Sequence, residues 1–208
     1  MTETEILGTD HSEALDKAIS ILQSGGLIAL PTDTVYGLAA DAWNGQAVKR
    51  IYEAKNRSEL KSIPVLVSGA AAIAEVAAEA AANILSLAAQ FWPGPLTMVV
   101  ERKSQLPSEV SATDTVGVRA PDDDFALTLL KAYGPLAATS ANRSGQPGAT
   151  TAVQVMETLR GKVDLVLDGG EIEGGVPSTV VDFTTIPPTL LRHGPISMES
   201  VLKAWESY

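Results

Sequence analysis

Leu27-Ile28-Ala29-Leu30 is an apolar run held between Gly25-Gly26 and Pro31, and it reads as one short buried strand. Just before it, Leu15, Ala18, Ile19 and Leu22 recur at helical spacing within Glu13 to Ser24, and the glycine pair stops that helix. The alternation then repeats. Gln46 to Ala54 sets Ala47, Val48, Ile51 and Tyr52 on one stripe, and Ile63 to Val67 is again a short strand-like run. Ala70 to Phe91 predicts an alanine-rich helix broken by Pro93, with a strand from Leu96 to Glu101 after it. Strands are expected at Thr115 to Arg119, Leu136 to Thr139, Val163 to Leu167 and Thr179 to Phe183. Helices are expected at Asp123 to Tyr133, Ala152 to Leu159 and Ser197 to Trp205. A chain punctuated in this way builds an α/β sheet. No internal repeat and no long linker interrupts it, so one domain over residues 1–208 is expected.

Composition removes several chemistries. The chain has no cysteine and only His11 and His193, which excludes thiolate nucleophiles, disulfides and Cys- or His-rich metal sites. The uncharged stretch from Ala80 to Val100 is interrupted by Pro93, Gly94 and Pro95, so no membrane helix is expected. Glu3, Glu5, Asp10, Glu13 and Asp16 open the chain without a basic residue, the reverse of a targeting peptide, and imply a cytoplasmic protein. A net charge of −10 argues against a general nucleic-acid groove. One segment runs against that balance: Lys49, Arg50, Lys55, Arg57 and Lys61 face only Glu53 and Glu59. It is either a local anion site or a solvated helix face.

Neither a Walker A pattern nor a G-x-G-x-x-G follows an expected strand, so a nucleotide would have to be held by another route. Lys55 and Arg57 lie where a helix runs out and could meet one polyphosphate if the chain is extended there; otherwise they are two solvated cations at a helix C-terminus. Arg192, in an apolar segment before His-Gly-Pro, needs an anionic partner, either Asp182 or a phosphate. Thr139, Ser140 and Asn142 can donate to phosphate or ribose oxygens, or merely cap the next segment. Arg119 ends a strand and is placed to grip a carboxylate through its planar fork, or to pair with Asp122, Asp123 and Asp124. Thr32, Thr34 and Tyr36 alternate, which in an extended segment puts them on one face.

PTDTVYGLAAD (31–41), EAKNR (53–57), TVGVR (115–119), TSANRSG (139–145), PSTVVD (177–182) and LRHGP (191–195) follow one another in this order. Together they resemble the YrdC/Sua5/TsaC family of threonylcarbamoyl-AMP synthases, over about Gly25 to Trp205. The resemblance implies a twisted open mixed sheet flanked by helices, with a concave substrate cleft. It also implies the short, single-domain form without a C-terminal Sua5 domain. It assigns threonine contacts to Thr34, Arg119, the backbone near Ala138, and Ser178. ATP contacts fall to Lys55, Arg57, Lys61, Thr115, Ser140, Asn142, Gly148 and Arg192, with Lys55 and Arg57 serving catalysis. The chain departs from the family pattern at Ser58, at Lys61-Ser62, at Leu66 to Ser68 where relatives often carry a histidine, at Gly148 where serine is common, and at His193.

The implied reaction joins L-threonine, bicarbonate or CO2, and ATP into threonylcarbamoyl-AMP and pyrophosphate for the modification of adenosine 37 in transfer RNA. Mg²⁺ would arrive with the ATP, and the product would pass to the transfer RNA threonylcarbamoyl transferase complex. Two rivals stand beside this reading. One is a non-catalytic nucleotide- or RNA-binding module, for which a weak RNA contact would suffice. The other is a carbamoyl-adenylate domain like that of the hydrogenase-maturation carbamoyltransferases.

Overall fold

The computed structural model describes residues 3–79 and 82–207. In chain order, β1 (Glu5–Gly8) leads into α1 (Ala14–Gln23), β2 (Ile28–Leu30) and β3 (Gly37–Asp41). Helix α2 (Gly45–Lys55) precedes the very short β4 (Val65–Leu66), then α3 (Ile73–Val76) and α4 (Ala82–Phe91). Strands β5 (Leu96–Glu101) and β6 (Thr115–Arg119) are followed by α5 (Asp124–Tyr133), β7 (Leu136–Ser140) and α6 (Ala152–Leu159). The chain closes with β8 (Leu165–Asp168), β9 (Thr179–Asp182), β10 (Thr189–Arg192) and α7 (Met198–Trp205).

The ten strands among the described residues join one open sheet in the order β1-β8-β2-β3-β7-β4-β6-β5-β9-β10. Parallel pairs (β1 with β8, β2 with β8, β4 with β6, β5 with β9) mix with antiparallel ones, as expected for this class. Successive strand side chains point to opposite faces. On one face Ile28 and Leu30 pack with Ala14, Ala18 and Leu22 of α1 and with Ala126, Leu129 and Leu130 of α5. On the other, Leu27 and Ala29 join the core formed with Ala47, Val48 and Ile51 of α2, Leu87 and Ala88 of α4, and Val201 of α7. Covering both faces explains why the Leu27–Leu30 run is apolar throughout rather than alternating. Each fully buried leucine in it contributes about 1.5–3 kcal/mol.

The alanine-rich helix expected from Ala70 to Phe91 is not continuous; Ala80 and Ala81 within it lie outside the described residues. A short 3-10 turn and α3 end at Val76, and Ala77 bridges to Arg102 instead. The Ala78 amide donates to the Glu101 carbonyl at 2.9 Å, and the Lys103 amide donates to the Val76 carbonyl at 2.8 Å. Pairing with the end of β5 therefore overrides alanine's helical preference.

The sheet is thinnest at β4. Val65 pairs with Ala137, and the Ala138 amide still reaches the Pro64 carbonyl at 2.9 Å. Before that the chain turns away, with the Ile63 amide donating to the Val110 carbonyl at 2.9 Å. Strand β7 runs past this point through Thr139 and Ser140 alongside β3. A gap is left in the middle of the sheet, and the polar groups of the neighbouring loops converge on it.

Candidate functional site

The gap is a cleft of about 250 Å³ lined by groups from eight parts of the chain, among them Thr32 and Thr34 after β2, Arg57 after α2, and Arg119 at the end of β6. Ala138 to Ser140 of β7, Ser178 before β9 and Arg192 at the end of β10 complete its polar wall, with Pro64, Leu66 and Pro177 as apolar contacts. Three guanidinium groups in one small cleft form an anion site. Burial lowers the pKa of each from its ordinary value, and for Arg192 the positive charge of Arg57 lowers it further.

Arg119 is 6% exposed and its fork is already fixed. It is ion-paired with Asp33, while Nη1 donates to Thr34 Oγ1 at 2.9 Å and Nε donates to the Gly94 carbonyl at 3.0 Å. The Asp122 to Asp124 run is therefore not its partner. Asp33 Oδ1 also accepts from the Asp122 amide at 3.0 Å, which ties the loop after β6 to the one after β2. Asp33 was not singled out by the sequence, though it sits inside the P-T-D-T segment.

Thr32 and Thr34 face each other at 3.1 Å, but Tyr36 leaves that strip. Its hydroxyl donates to the Gly170 carbonyl at 2.7 Å and accepts from the Gly169 amide at 3.1 Å, and burial pushes its pKa up to about 12. The segment is a loop up to Gly37, not a strand, so the expected single face does not form.

Helix α2 starts on Asn44, whose side chain accepts from the Gln46 and Ala47 amides. It ends on Asn56 in the left-handed region at φ 51°, with the Arg57 amide bonded back to the Tyr52 carbonyl at 2.9 Å. That closure is a Schellman motif, and it separates the two cations. Lys55 remains helical and 2% exposed. Its ammonium donates to the Ser140 carbonyl, to the Asn142 carbonyl at 2.6 Å and to Asn142 Oδ1 at 3.4 Å. Lys55 thus sits beneath the Ser140–Asn142 loop and does not line the cleft. Arg57 does line it, donating through Nη2 to the Ser62 carbonyl at 3.1 Å, while its Nε is buried with no hydrogen-bond partner among the described residues. Neither cation is simply a solvated group at a helix end.

Burial, with help from Arg57, depresses the Lys55 pKa to about 7. In the unfolded chain the group titrates near its ordinary value of 10.5. Between these values the unfolded state binds more protons, so the Lys55 contribution to stability rises with pH and is lost as pH falls through about 7. Comparing wild type with Lys55→Met by denaturant unfolding at pH 7 and pH 9 should shift the difference toward wild type, at no more than about 1.4 kcal/mol per pH unit. A difference that does not change with pH would contradict this.

Arg192 is not paired with Asp182. Its Nε donates to the Ser178 carbonyl and its Nη2 to Ser178 Oγ, both at 3.0 Å. The Ser178 hydroxyl also lies 2.7 Å from that of Thr97, a buried cleft residue on β5 that the sequence did not mark. Gly194 allows this packing: a Cβ there would stand 2.2 Å from the Thr179 nitrogen and 2.6 Å from the Pro177 carbonyl. Gly194→Ala should lower stability by about 1–3 kcal/mol and weaken ligand binding by displacing Ser178. An unchanged denaturation midpoint would refute the close approach.

The remaining residues lie further out. Asn142 and Gly148 border a neighbouring hollow of about 530 Å³ that also contains Arg143, Gln154 and Glu157. A side chain at Gly148 would meet Val35 Cγ1 at 2.7 Å, so Val35 fills the space that a serine would need. Lys61 is exposed, and its carbonyl accepts from Tyr52 Oη at 3.1 Å. Thr115 reaches the cleft only through a chain of hydroxyls, Thr115–Thr113–Ser111–Ser62, with spacings of 3.1, 3.0 and 3.0 Å. Leu66 occupies the cleft wall near the position left open between Leu66 and Ser68.

Fold and cleft define an α/β protein whose split sheet holds an arginine-lined anion site. A model of the Sua5/YciO/YrdC family, described as "Telomere recombination", matches residues 20–194, and the chain belongs to that family. The threonylcarbamoyl-AMP synthase of Pyrococcus abyssi (strain GE5 / Orsay) is 42% identical over 188 residues, covering 89% of this chain and 55% of that protein. The one from Pseudomonas fluorescens (strain Pf0-1) is 36% identical over 177 residues, covering 84% of this chain and 95% of that protein. The crystal structure of P. abyssi Sua5 complexed with L-threonine superposes with a TM-score of 0.90 at 38% identity, covering 98% of this chain and 60% of that one. The chain therefore spans little more than half the length of the archaeal relative. No described helix is long and apolar enough to cross a membrane.

Proposed function

We propose that the protein condenses L-threonine, bicarbonate or CO2, and ATP into threonylcarbamoyl-AMP and pyrophosphate, a nucleotidyl transfer that supplies the threonylcarbamoyl group for transfer RNA modification. The observation that carries the proposal is the cleft itself, where Arg57, Arg119 and Arg192 face neutral hydroxyls in about 250 Å³. Two anionic groups, an amino-acid carboxylate and a phosphate chain, suit such a donor set. The archaeal relative of known structure was crystallised with L-threonine, which favours the same ligand here.

In this reading Arg119, held rigid by Asp33 and Gly94, orients the threonine carboxylate. The amine captures CO2, and an oxygen of the resulting carbamate attacks the α-phosphorus, releasing pyrophosphate. Arg57 and Arg192 neutralise charge on the phosphates. Arg57 Nε, unpaired among the described residues, gains an acceptor when the polyphosphate enters. Lys55 acts from below by holding Ser140 and Asn142 in place. No enzyme nucleophile is required, and catalysis rests on position and charge. The cleft offers cations and hydroxyls rather than carboxylates, so Mg²⁺ would be held mainly by phosphate oxygens and water. Handover of the unstable product to a transfer RNA-modifying partner completes the proposal. Carbon-13 bicarbonate should label the adenylate product seen by mass spectrometry; an adenylate without the label would sink the carbamate step.

A further inference from the structure

The hydroxyls around the cleft can be counted for hydrogens, and the count is uneven. Thr32 spends its hydroxyl hydrogen on the Val35 carbonyl at 2.7 Å. Its oxygen accepts from the Thr34 amide at 3.2 Å and the Val35 amide at 3.3 Å, and Thr34 Oγ1, 3.1 Å away, accepts from Arg119. Across the cleft, Thr97 and Ser178 are 2% and 4% exposed, and their hydroxyls share one contact of 2.7 Å. Ser178 Oγ receives a second donor in Arg192 Nη2. Two hydroxyls carry two hydrogens and the bond between them consumes one, so one hydrogen of this buried pair has no acceptor among the described residues. A buried donor without a partner is costly, and a ligand oxygen would relieve it.

We propose that Thr97 is a positioning residue for substrate binding, an inference that rests on reading this cleft as the threonine site. Thr97 donates to Ser178 Oγ, which then accepts from Thr97 and Arg192 together and has no free lone pair. The Ser178 hydrogen is turned into the cleft as an obligate donor. A carboxylate drawn between Arg119 and Arg192 supplies the matching acceptor. The alternative arrangement, with Ser178 donating to Thr97, leaves the spare hydrogen on Thr97, further from the Arg192 cation that attracts the anion. The Thr97 methyl occupies the space that glycine leaves at position 117, where an added Cβ would stand 3.1 Å from Cγ2.

Isothermal titration of L-threonine into wild type, Thr97→Val and Thr97→Ser tests this. Valine keeps the shape and removes the donor, and should weaken binding about tenfold. Serine restores the donor and should bind within about twofold of wild type. Thr97→Val binding as tightly as wild type would overturn the proposal. So would Thr97→Ser binding as weakly as Thr97→Val, since the methyl rather than the hydroxyl would then matter. If Thr97→Val fails to fold by thermal denaturation, Thr97→Ala set against Thr97→Ser makes the same comparison. Wild type that does not bind L-threonine overturns the threonine reading itself and this inference with it, and that arm separates the two failures.

Discussion

Arg119→Ala should abolish saturable L-threonine binding and cost about 3–5 kcal/mol of stability. Both effects come from one side chain. Its side chain is 8% exposed and that of Asp33 16%, so truncation strands a largely buried carboxylate. It also frees Thr34 Oγ1 and the Gly94 carbonyl from their donors. The stability loss and the binding loss can be separated with a second substitution. Asp33→Ala combined with Arg119→Leu removes the stranded charge and should recover much of the unfolding free energy, yet it should not restore threonine binding. Chemical denaturation and calorimetric titration of both variants would show this. An Arg119→Ala protein that still saturates with L-threonine at the wild-type concentration would remove the carboxylate role.

Arg57→Ala should have the opposite profile, a large kinetic loss with little structural cost. The side chain is half-buried and gives its hydrogen bonds to the Lys61 and Ser62 carbonyls on the cleft rim, contacts worth about 1 kcal/mol. Among the described residues its Nε has no partner to lose. If the group neutralises phosphate charge during transfer, truncation should lower the turnover number for pyrophosphate release about 100-fold, the usual cost of one such donor. Lys55→Ala would not be a clean companion, because it removes a charged donor from the Ser140 and Asn142 carbonyls and so disturbs the loop that carries them. The two cations are close in sequence, but the Schellman turn at Asn56 gives them different surroundings. Full turnover by Arg57→Ala would show that the phosphates lie elsewhere.

Much of the fold was legible because its signals are local. The strands at Leu96–Glu101 and Thr115–Arg119 and the helix at Ala152–Leu159 fall where periodicity and Gly/Pro punctuation put them. Strand Gly37–Asp41 was hidden: GLAAD has no β-branched residue, and its pairing with Leu136–Ser140 spans about a hundred residues of chain. The edge strands Glu5–Gly8 and Thr189–Arg192 are short, and each is held by a single partner. Strand order belongs to the same class of information, since no window of sequence contains it.

The cleft divides in the same way. Thr34, Arg57, Arg119, Ala138, Ser140, Ser178 and Arg192 carry recognisable segments, and all line one cavity. Asp33 and Thr97 act through partners 86 and 81 positions away, so nothing beside them in the chain announces a role. A lone threonine in an apolar strand looks like any other core residue until Ser178 is brought against it. Lys55 shows the reverse. Its segment marks it as a ligand contact, and only the fold brings its buried ammonium onto three oxygens of the loop above.

Pyrophosphate release from ATP, with L-threonine and bicarbonate omitted in turn and L-serine substituted for threonine, tests the central claim most directly. The account predicts release only when ATP, L-threonine and bicarbonate are present together with Mg²⁺. Release that ignores threonine, or none in any combination from a folded sample, would contradict it; the second result would favour a protein that binds nucleotide or RNA without chemistry.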